Sequence, residues 1–242
     1  DQIKAAKLKE ASKATTNRYL ALVRAILLRA RHDWEWIDKV PKIRLFKETT
    51  SRERSLTVSH AKCLLEELKE HQREMVLFSL ATGLRQSNVL RLEWGQVNLE
   101  LRHAWVKGTQ SKNRRPISVP LNDVALAVLM RQAGKHPGRG FTFRGRPINS
   151  VNTKAWHAAL KRAGIEDFRW HDLRHTWASW LVQHGTPLYV VQEMGAWESE
   201  GMVRRYAHLS PAHLAPHAEV IAGLLGGTDT AHGKKEKGPS RG

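Results

Sequence analysis

Apolar residues recur at helical spacing through Leu20, Val23, Leu27 and Ala30, behind Thr15 and Thr16, whose hydroxyls suit a helix cap. This pattern predicts a helix that runs on toward Trp34 and Trp36. The same period returns at residues 56–70, with Thr57 as cap, and in the more apolar stretch 74–82, which Gly83 stops. Residues 86–92 predict a third short helix in this region. The period then falls to two: residues 96–99, 103–107 and 116–119 are short and alternating, with turn-like GTQSKNRR before the last. They predict a small antiparallel sheet. Helical spacing resumes at 122–132, 150–163, 171–184, 188–194 and 211–224. The class is mainly α with a small antiparallel β-sheet, in a domain of about 170 residues.

The pattern also suggests boundaries. A single long helix cannot bury its own apolar face, so residues 1–40 are expected to be the end of a helical domain whose earlier part is absent. A chain that opens on Asp1 without methionine suggests a piece of a longer one. Residues 41–55, PKIRLFKETTSRERS, form a basic, extended linker, residues 56–225 the main domain, and residues 226–242 a tail too poor in apolar side chains to fold.

Charge narrows the partner. The 242 residues carry 40 Lys and Arg against 23 Asp and Glu, a net charge of +17. Residues 1–55 hold 14 basic and 7 acidic side chains, the densest positive stretch. Such an excess points to a polyanion, and local density points to a phosphate backbone rather than a merely solvated face. No apolar run reaches the ~20 residues of a membrane helix, so no membrane partner is expected. The one cysteine, Cys63, excludes an internal disulfide, suits a reducing compartment, and reads as a small core residue in its amphipathic helix. No targeting segment is visible, and the expected location is the cytoplasm.

His171, Arg174 and His175, in HDLRHTWASWL, open a predicted helix at spacings of three and four, which places them on one face. Three readings are open for this cluster alone. The side chains can cap and solvate a helix start. His171 and His175 at i and i+4 are also spaced as metal ligands, with Asp172 where a metalloprotease carries its base, although Arg174 would set a fixed positive charge beside the dication. A third reading is phosphate chemistry, in which the cations face an oxyanion.

Other segments favour the third. Ala81-Thr82-Gly83-Leu84-Arg85 sets an arginine just after a helix-ending glycine, and Tyr206 sits in the polar stretch GMVRRYAHLS. Together with HDLRH, these segments resemble the catalytic domain of tyrosine recombinases, the phage integrase family, over residues 56–225. The resemblance matches Arg85 to the family's first catalytic arginine, His171 and Arg174 to its catalytic His-x-x-Arg pair, and Tyr206, 32 residues after Arg174, to the nucleophile. Lys112, in TQSKNRRPISVP, matches the family's hairpin lysine. Where many members carry histidine, in a Leu-Gly-His motif, this chain has Trp197, a residue some members share. Asn88 stands where a glutamate is often found.

The chemistry implied is coherent. Attack on a phosphodiester adds negative charge to the non-bridging oxygens, which two arginines can meet with paired hydrogen bonds. The Trp197 indole N–H can donate to the same oxygens, or the ring can serve as packing. A phenol with a pKa of ~10 needs its proton removed, for which His171 is the expected base. Lys112 is the expected acid for the leaving 5′ oxygen. The implied product is a 3′-phosphotyrosyl enzyme that conserves bond energy for rejoining, without metal or other cofactor. Of the other tyrosines, Tyr19 belongs to the amino-terminal helix and Tyr189, in LYVVQEM, reads as core.

The resemblance further implies a clamp on double-stranded DNA core sites, with a helical core-binding domain opposite the catalytic domain. Lys42, Arg44, Lys47, Arg52 and Arg54 of the linker, and Arg114 and Arg115 of the hairpin, are expected phosphate contacts. It implies a homotetramer on DNA, accessory DNA-bending proteins, and a carboxy-terminal helix at 211–225 that docks on its own domain or on a neighbour. The expected setting is a prokaryotic nucleoid, in the integration or excision of a phage or mobile element. The rivals are a catalytically silent DNA-binding relative and a metal-dependent hydrolase built on His171 and His175.

Overall fold

The computed structural model describes residues 2–47, 54–111, 114–209 and 219–221. The chain divides into two compact units, Asp1–Arg52 and Glu53–Gly242.

The first unit holds α1 (Gln2–Glu10) and α2 (Lys13–His32). The cap of α2 is Ser12, whose Oγ accepts the Thr15 N–H at 3.2 Å, so the helix starts earlier than its threonines suggest. It ends at His32, short of Trp34 and Trp36, whose rings lie 4.7 Å apart beyond it. Residues 41–46 carry no regular secondary structure and return to α2, where the Asn17 side-chain amide pairs with the backbone of Phe46. Its Nδ2 donates to the Phe46 carbonyl at 2.9 Å and its Oδ1 accepts the Phe46 N–H at 2.8 Å. Leu22, Ile26 and Leu28 of α2 remain exposed.

The second unit begins with α3 (Val58–Glu67), α4 (Glu70–Thr82) and α5 (Gln86–Leu90). Thr57 caps α3 as expected, its hydroxyl accepting the His60 N–H at 3.1 Å. Ala61 and Leu64 face the core, which turns Cys63 outward: it is exposed, not a core residue. A continuous amphipathic stretch does not say which of its flanks is covered. α4 is the central helix, with Met75, Val76 and Phe78 fully buried, each worth roughly 1.5–3 kcal/mol. Gly83 ends it in the left-handed conformation (φ 66°), returning its N–H to the Ser79 carbonyl.

The expected three-stranded sheet is present. β1 (Val97–Asn98), β2 (His103–Val106) and β3 (Ile117–Pro120) lie in that order, antiparallel, with Ala104 opposite Val119 and Val106 opposite Ile117. Those four side chains are buried, while their strand neighbours Trp105 and Ser118 are exposed, as alternation requires. After α6 (Asp123–Gln132) comes a small hairpin that periodicity did not reveal, β4 (Thr142–Phe143) and β5 (Arg146–Pro147). Two residues per strand are too few to show a period.

Next come α7 (Thr153–Arg162), α8 (Asp172–Gln183) and α9 (Leu188–Gly195), followed by short 3-10 segments at Glu200–Met202 and Arg204–Leu209. α8 is held on two sides. Its Thr176 hydroxyl accepts the Leu56 N–H at 3.1 Å, and its Trp180 indole donates to the Leu56 carbonyl at 2.8 Å. Leu173 joins the main core around α4, whereas Trp177, Ala178 and Val182 join a second cluster with Val191, Val203 and Tyr206. Tyr189 of α9 is exposed to 71 %, so an apolar run did not make it core. The helix expected at 211–224 lies outside the described residues apart from 219–221, which are helical, and the tail at 226–242 lies outside them altogether.

Candidate active site

Four separate segments of the second unit supply the site. The left-handed turn at Gly83 sets Arg85 at the amino-terminal edge of α5, with extended backbone. A Cβ at Gly83 would lie 2.4 Å from the Trp177 ring, so close packing and the positive φ both demand glycine there. The second segment is the start of α8, where Asp172 accepts the Arg169 N–H at 2.8 Å and so fixes the turn that carries His171. The third, the end of α9, closes on Ala196 in the left-handed conformation and presents Trp197. The fourth is Arg204–Leu209, with Tyr206.

Arg174 lies at the centre and is 4 % exposed. Its Nη1 donates to the Gly83 carbonyl at 2.8 Å, its Nη2 donates to the Gly195 carbonyl, and its guanidinium carbon sits 4.0 Å over the Trp197 ring. One side chain thus joins the ends of α4 and α9 to α8. Burial, then the charge of Arg85, lowers its pKa to about 9, with Tyr206 acting in the opposite sense. Trp197 stacks on Trp177 with centroids 6.1 Å apart and touches Tyr206 on another side. The indole therefore packs against the arginine and the tyrosine.

Arg85 is partly buried, and burial lowers its pKa. Its Nη1 and the Nδ2 of Asn88, one turn along α5, are both buried without a hydrogen-bond partner. Two orphaned donors on one short helix are costly unless an acceptor arrives, because each forfeits its hydration. An anion with several oxygens answers that need.

Tyr206 is fully buried, unlike the surface tyrosine its polar surroundings suggest. Its hydroxyl lies 2.5 Å from His175 Nδ1. His171 stands one turn back on α8, its ring edge-on to that of His175 at 5.1 Å. Burial, then Arg174, holds the His171 pKa below the ordinary histidine value, with Arg85 and Arg205 adding to the effect. Burial, then His171, Arg205 and Arg174, lowers His175 to about 4.

These shifts give a prediction. Both rings are neutral in the native protein, whereas an unfolded chain protonates them near 6.5. Their contribution to stability is present above pH 6.5 and is lost as the pH falls below it, for His175 down to about 4. Urea midpoints measured between those limits should fall, and should fall less in a His175→Gln chain; an unchanged midpoint would mean that the rings are solvated.

A model of the phage integrase family matches residues 54–213, which span all four segments. The chain belongs to the phage integrase family. It is 44 % identical to the integrase of Salmonella phage P22 over 96 % of its own length and 64 % of that protein's. It is 29 % identical to the shufflon-specific DNA recombinase of Escherichia coli, over 81 % of the chain and 51 % of that protein. The chain thus spans about half to two thirds of the length of these relatives. Its fold resembles the integrase of transposon Tn1549 in complex with a circular intermediate DNA (TM-score 0.73, 18 % identity, 90 % of this chain and 82 % of that one). It also resembles the catalytic domain of bacteriophage HP1 integrase (TM-score 0.54, 26 % identity, 69 % of this chain and 95 % of that one). A mainly helical catalytic fold with small antiparallel sheets is therefore the family's fold.

Of the residues that resemblance assigned, Arg85, His171, Arg174, Trp197 and Tyr206 meet around one point, each sensing another through charge or ring contact. Lys112 and Arg52 lie outside the described residues. Lys42, Arg44, Lys47, Arg114 and Arg115 are exposed cations. Arg54 differs, since its guanidinium donates to the Glu166 carbonyl and pairs with Asp167, both at 2.6 Å. In the sequence His175 carried only the helix-capping and metal readings, with no catalytic role. Its contact with Tyr206 joins residues 31 apart and has no local signature. Among the described residues no group of three or more His, Cys, Asp or Glu gathers as metal ligands, and no helix is long and apolar enough to cross a membrane.

Proposed function

We propose that this chain carries the catalytic part of a site-specific DNA recombinase, which cuts and rejoins duplex DNA through Tyr206. The observation that carries the reading is the convergence of Tyr206 with Arg174, His171 and Arg85, together with the buried donors of Arg85 and Asn88 that have no acceptor. A scissile phosphate supplies those acceptors. Arg85 then stabilises the charge that develops on its non-bridging oxygens, with Arg174 set rigidly behind by its two carbonyl partners. The Tyr206 oxygen attacks phosphorus, and the 5′ oxygen leaves with a proton from Lys112. The phosphotyrosyl bond conserves the energy for rejoining, and neither metal nor nucleotide enters the step.

Affinity comes from dispersed cations, Lys42, Arg44 and Lys47 in the first unit and Arg114 and Arg115 in the second. A synaptic tetramer on two core sites, accessory DNA-bending proteins and action on a bacterial chromosome in the cytoplasm complete the proposal. The test uses the full-length protein, chelator and a nicked suicide duplex built from the junctions of the element that encodes it. A covalent protein–DNA adduct should form and should be absent in Tyr206→Phe. A protein that binds this duplex tightly but never forms an adduct would be a silent DNA-binding relative, and the proposal would fall.

A further inference from the structure

We propose that His175 accepts the proton of the Tyr206 hydroxyl as that oxygen attacks phosphorus, which makes it a catalytic residue of strand cleavage. This rests on the reading of Tyr206 as nucleophile. The phenol is fully buried, so bulk water does not reach its proton, and His175 Nδ1 lies 2.5 Å from the hydroxyl oxygen. The neighbouring His171 lies one helical turn nearer the amino terminus of α8, its ring edge-on to that of His175.

The charged and titratable groups that face His175 are His171 and Arg174 from α8, and Arg205 and Tyr206 from the 3-10 segment. Burial, and after it the charges of its neighbours, keep the imidazole neutral in the free protein. With its proton on Nε2, it offers the Nδ1 lone pair to the phenol. The same cations oppose formation of an imidazolium, so the free protein holds the proton on tyrosine. A bound phosphodiester brings negative charge, and the transition state brings more, which offsets those cations and raises the basicity of His175. The base is therefore armed by its substrate.

The step balances. The Tyr206 O–P bond forms as the P–O5′ bond breaks, the phenolic proton passes to His175 Nδ1, and the leaving 5′ oxygen takes a proton from the Lys112 ammonium. Rejoining reverses each transfer, with the His175 imidazolium returning its proton to the departing phenolate.

Adduct formation on the same suicide duplex tests this through its pH profile. His175→Asn sets an amide oxygen near the position of Nδ1, which can hold the hydroxyl but cannot take its proton, while His175→Ala removes both abilities. Both variants should form adduct about 10²-fold more slowly near pH 7. Their rates should then climb about tenfold per pH unit, as hydroxide takes over deprotonation, while the unsubstituted protein stays nearly flat. Added imidazole should restore much of the rate in His175→Ala. His171→Asn should slow cleavage without gaining this pH slope. Retained affinity for the duplex reports that each variant is folded, and His175→Asn decides the matter if His175→Ala does not fold. A His175→Asn rate within about threefold of the unsubstituted protein with a flat profile would overturn the proposal, as would a pH-independent loss. An adduct that persists in Tyr206→Phe would instead remove the nucleophile reading, whatever the His175 variants do.

Discussion

Arg174→Lys is expected to reduce adduct formation by about 10³-fold or more while DNA affinity falls less than about tenfold. The separation follows from where the guanidinium sits. Two of its nitrogens serve carbonyls on different elements, Gly83 at the end of α4 and Gly195 at the end of α9, and its plane lies on Trp197. A lysine keeps the charge but has a single nitrogen, which cannot span both carbonyls or stack on the indole. One buried carbonyl is left unpaired, and the turn carrying Arg85 loses its tie to α8. Breaking a buried, charge-assisted arrangement of this kind costs about 3 kcal/mol. For a chain of this size that corresponds to roughly 6–12 °C in Tm. On the proposed function, DNA affinity is spread over many exposed cations, so it should survive. Adduct kinetics, a gel-shift titration and a thermal melt read the three effects, and binding lost as completely as cleavage would deny Arg174 its role at the reacting phosphate.

The second large effect is expected at Gly195→Ala, with a sign opposite to the usual one. Replacing a helical glycine by alanine ordinarily gains about 1 kcal/mol. Here an added Cβ would lie 2.0 Å from one Trp197 ring carbon and 2.2 Å from another, a collision with a ring already wedged among Arg174, Trp177 and Tyr206. Overpacking costs about 1–3 kcal/mol, so destabilisation wins. A displaced indole also moves the guanidinium stacked on it and the tyrosine beside it. A shift of about 1 Å at reacting groups can cost on the order of 10²-fold in rate. Trp197→His replaces the indole with a smaller ring. In that background Gly195→Ala should lose most of its penalty, and the coupling is read by a double-mutant cycle on Tm and adduct rate. Equal penalties in both backgrounds would show that the collision is not with Trp197.

Much of the site was legible in the chain. Arg85 follows a glycine that stops an apolar helix, and HDLR sets His171 and Arg174 on one helical face, both local patterns written within a few residues. The antiparallel sheet was legible for the same reason, since alternation in β2 and β3 is a local record of which side is covered. Errors arose where a local pattern is silent about its surroundings. Tyr189 lies in an apolar run and is exposed, while Tyr206 lies in a polar one and is sealed. Neither outcome depends on the residue's own neighbours in sequence, because each is set by which other element packs over it.

By itself, then, the sequence determined most of the helices, the three-stranded sheet and the resemblance to the family, because these rest on periodicity and on short ordered motifs. Only the tertiary structure decided that Arg174 is pinned by two carbonyls, that Gly195 is held to glycine by an indole, and that the tyrosine's hydroxyl faces His175 rather than water. Those contacts join residues 91, 21 and 31 apart, or a backbone to the face of a ring, and they form only when α4, α8, α9 and the segment carrying Tyr206 close on one another. Distance in the chain carries no trace of such closure, and burial is a property of the packed whole.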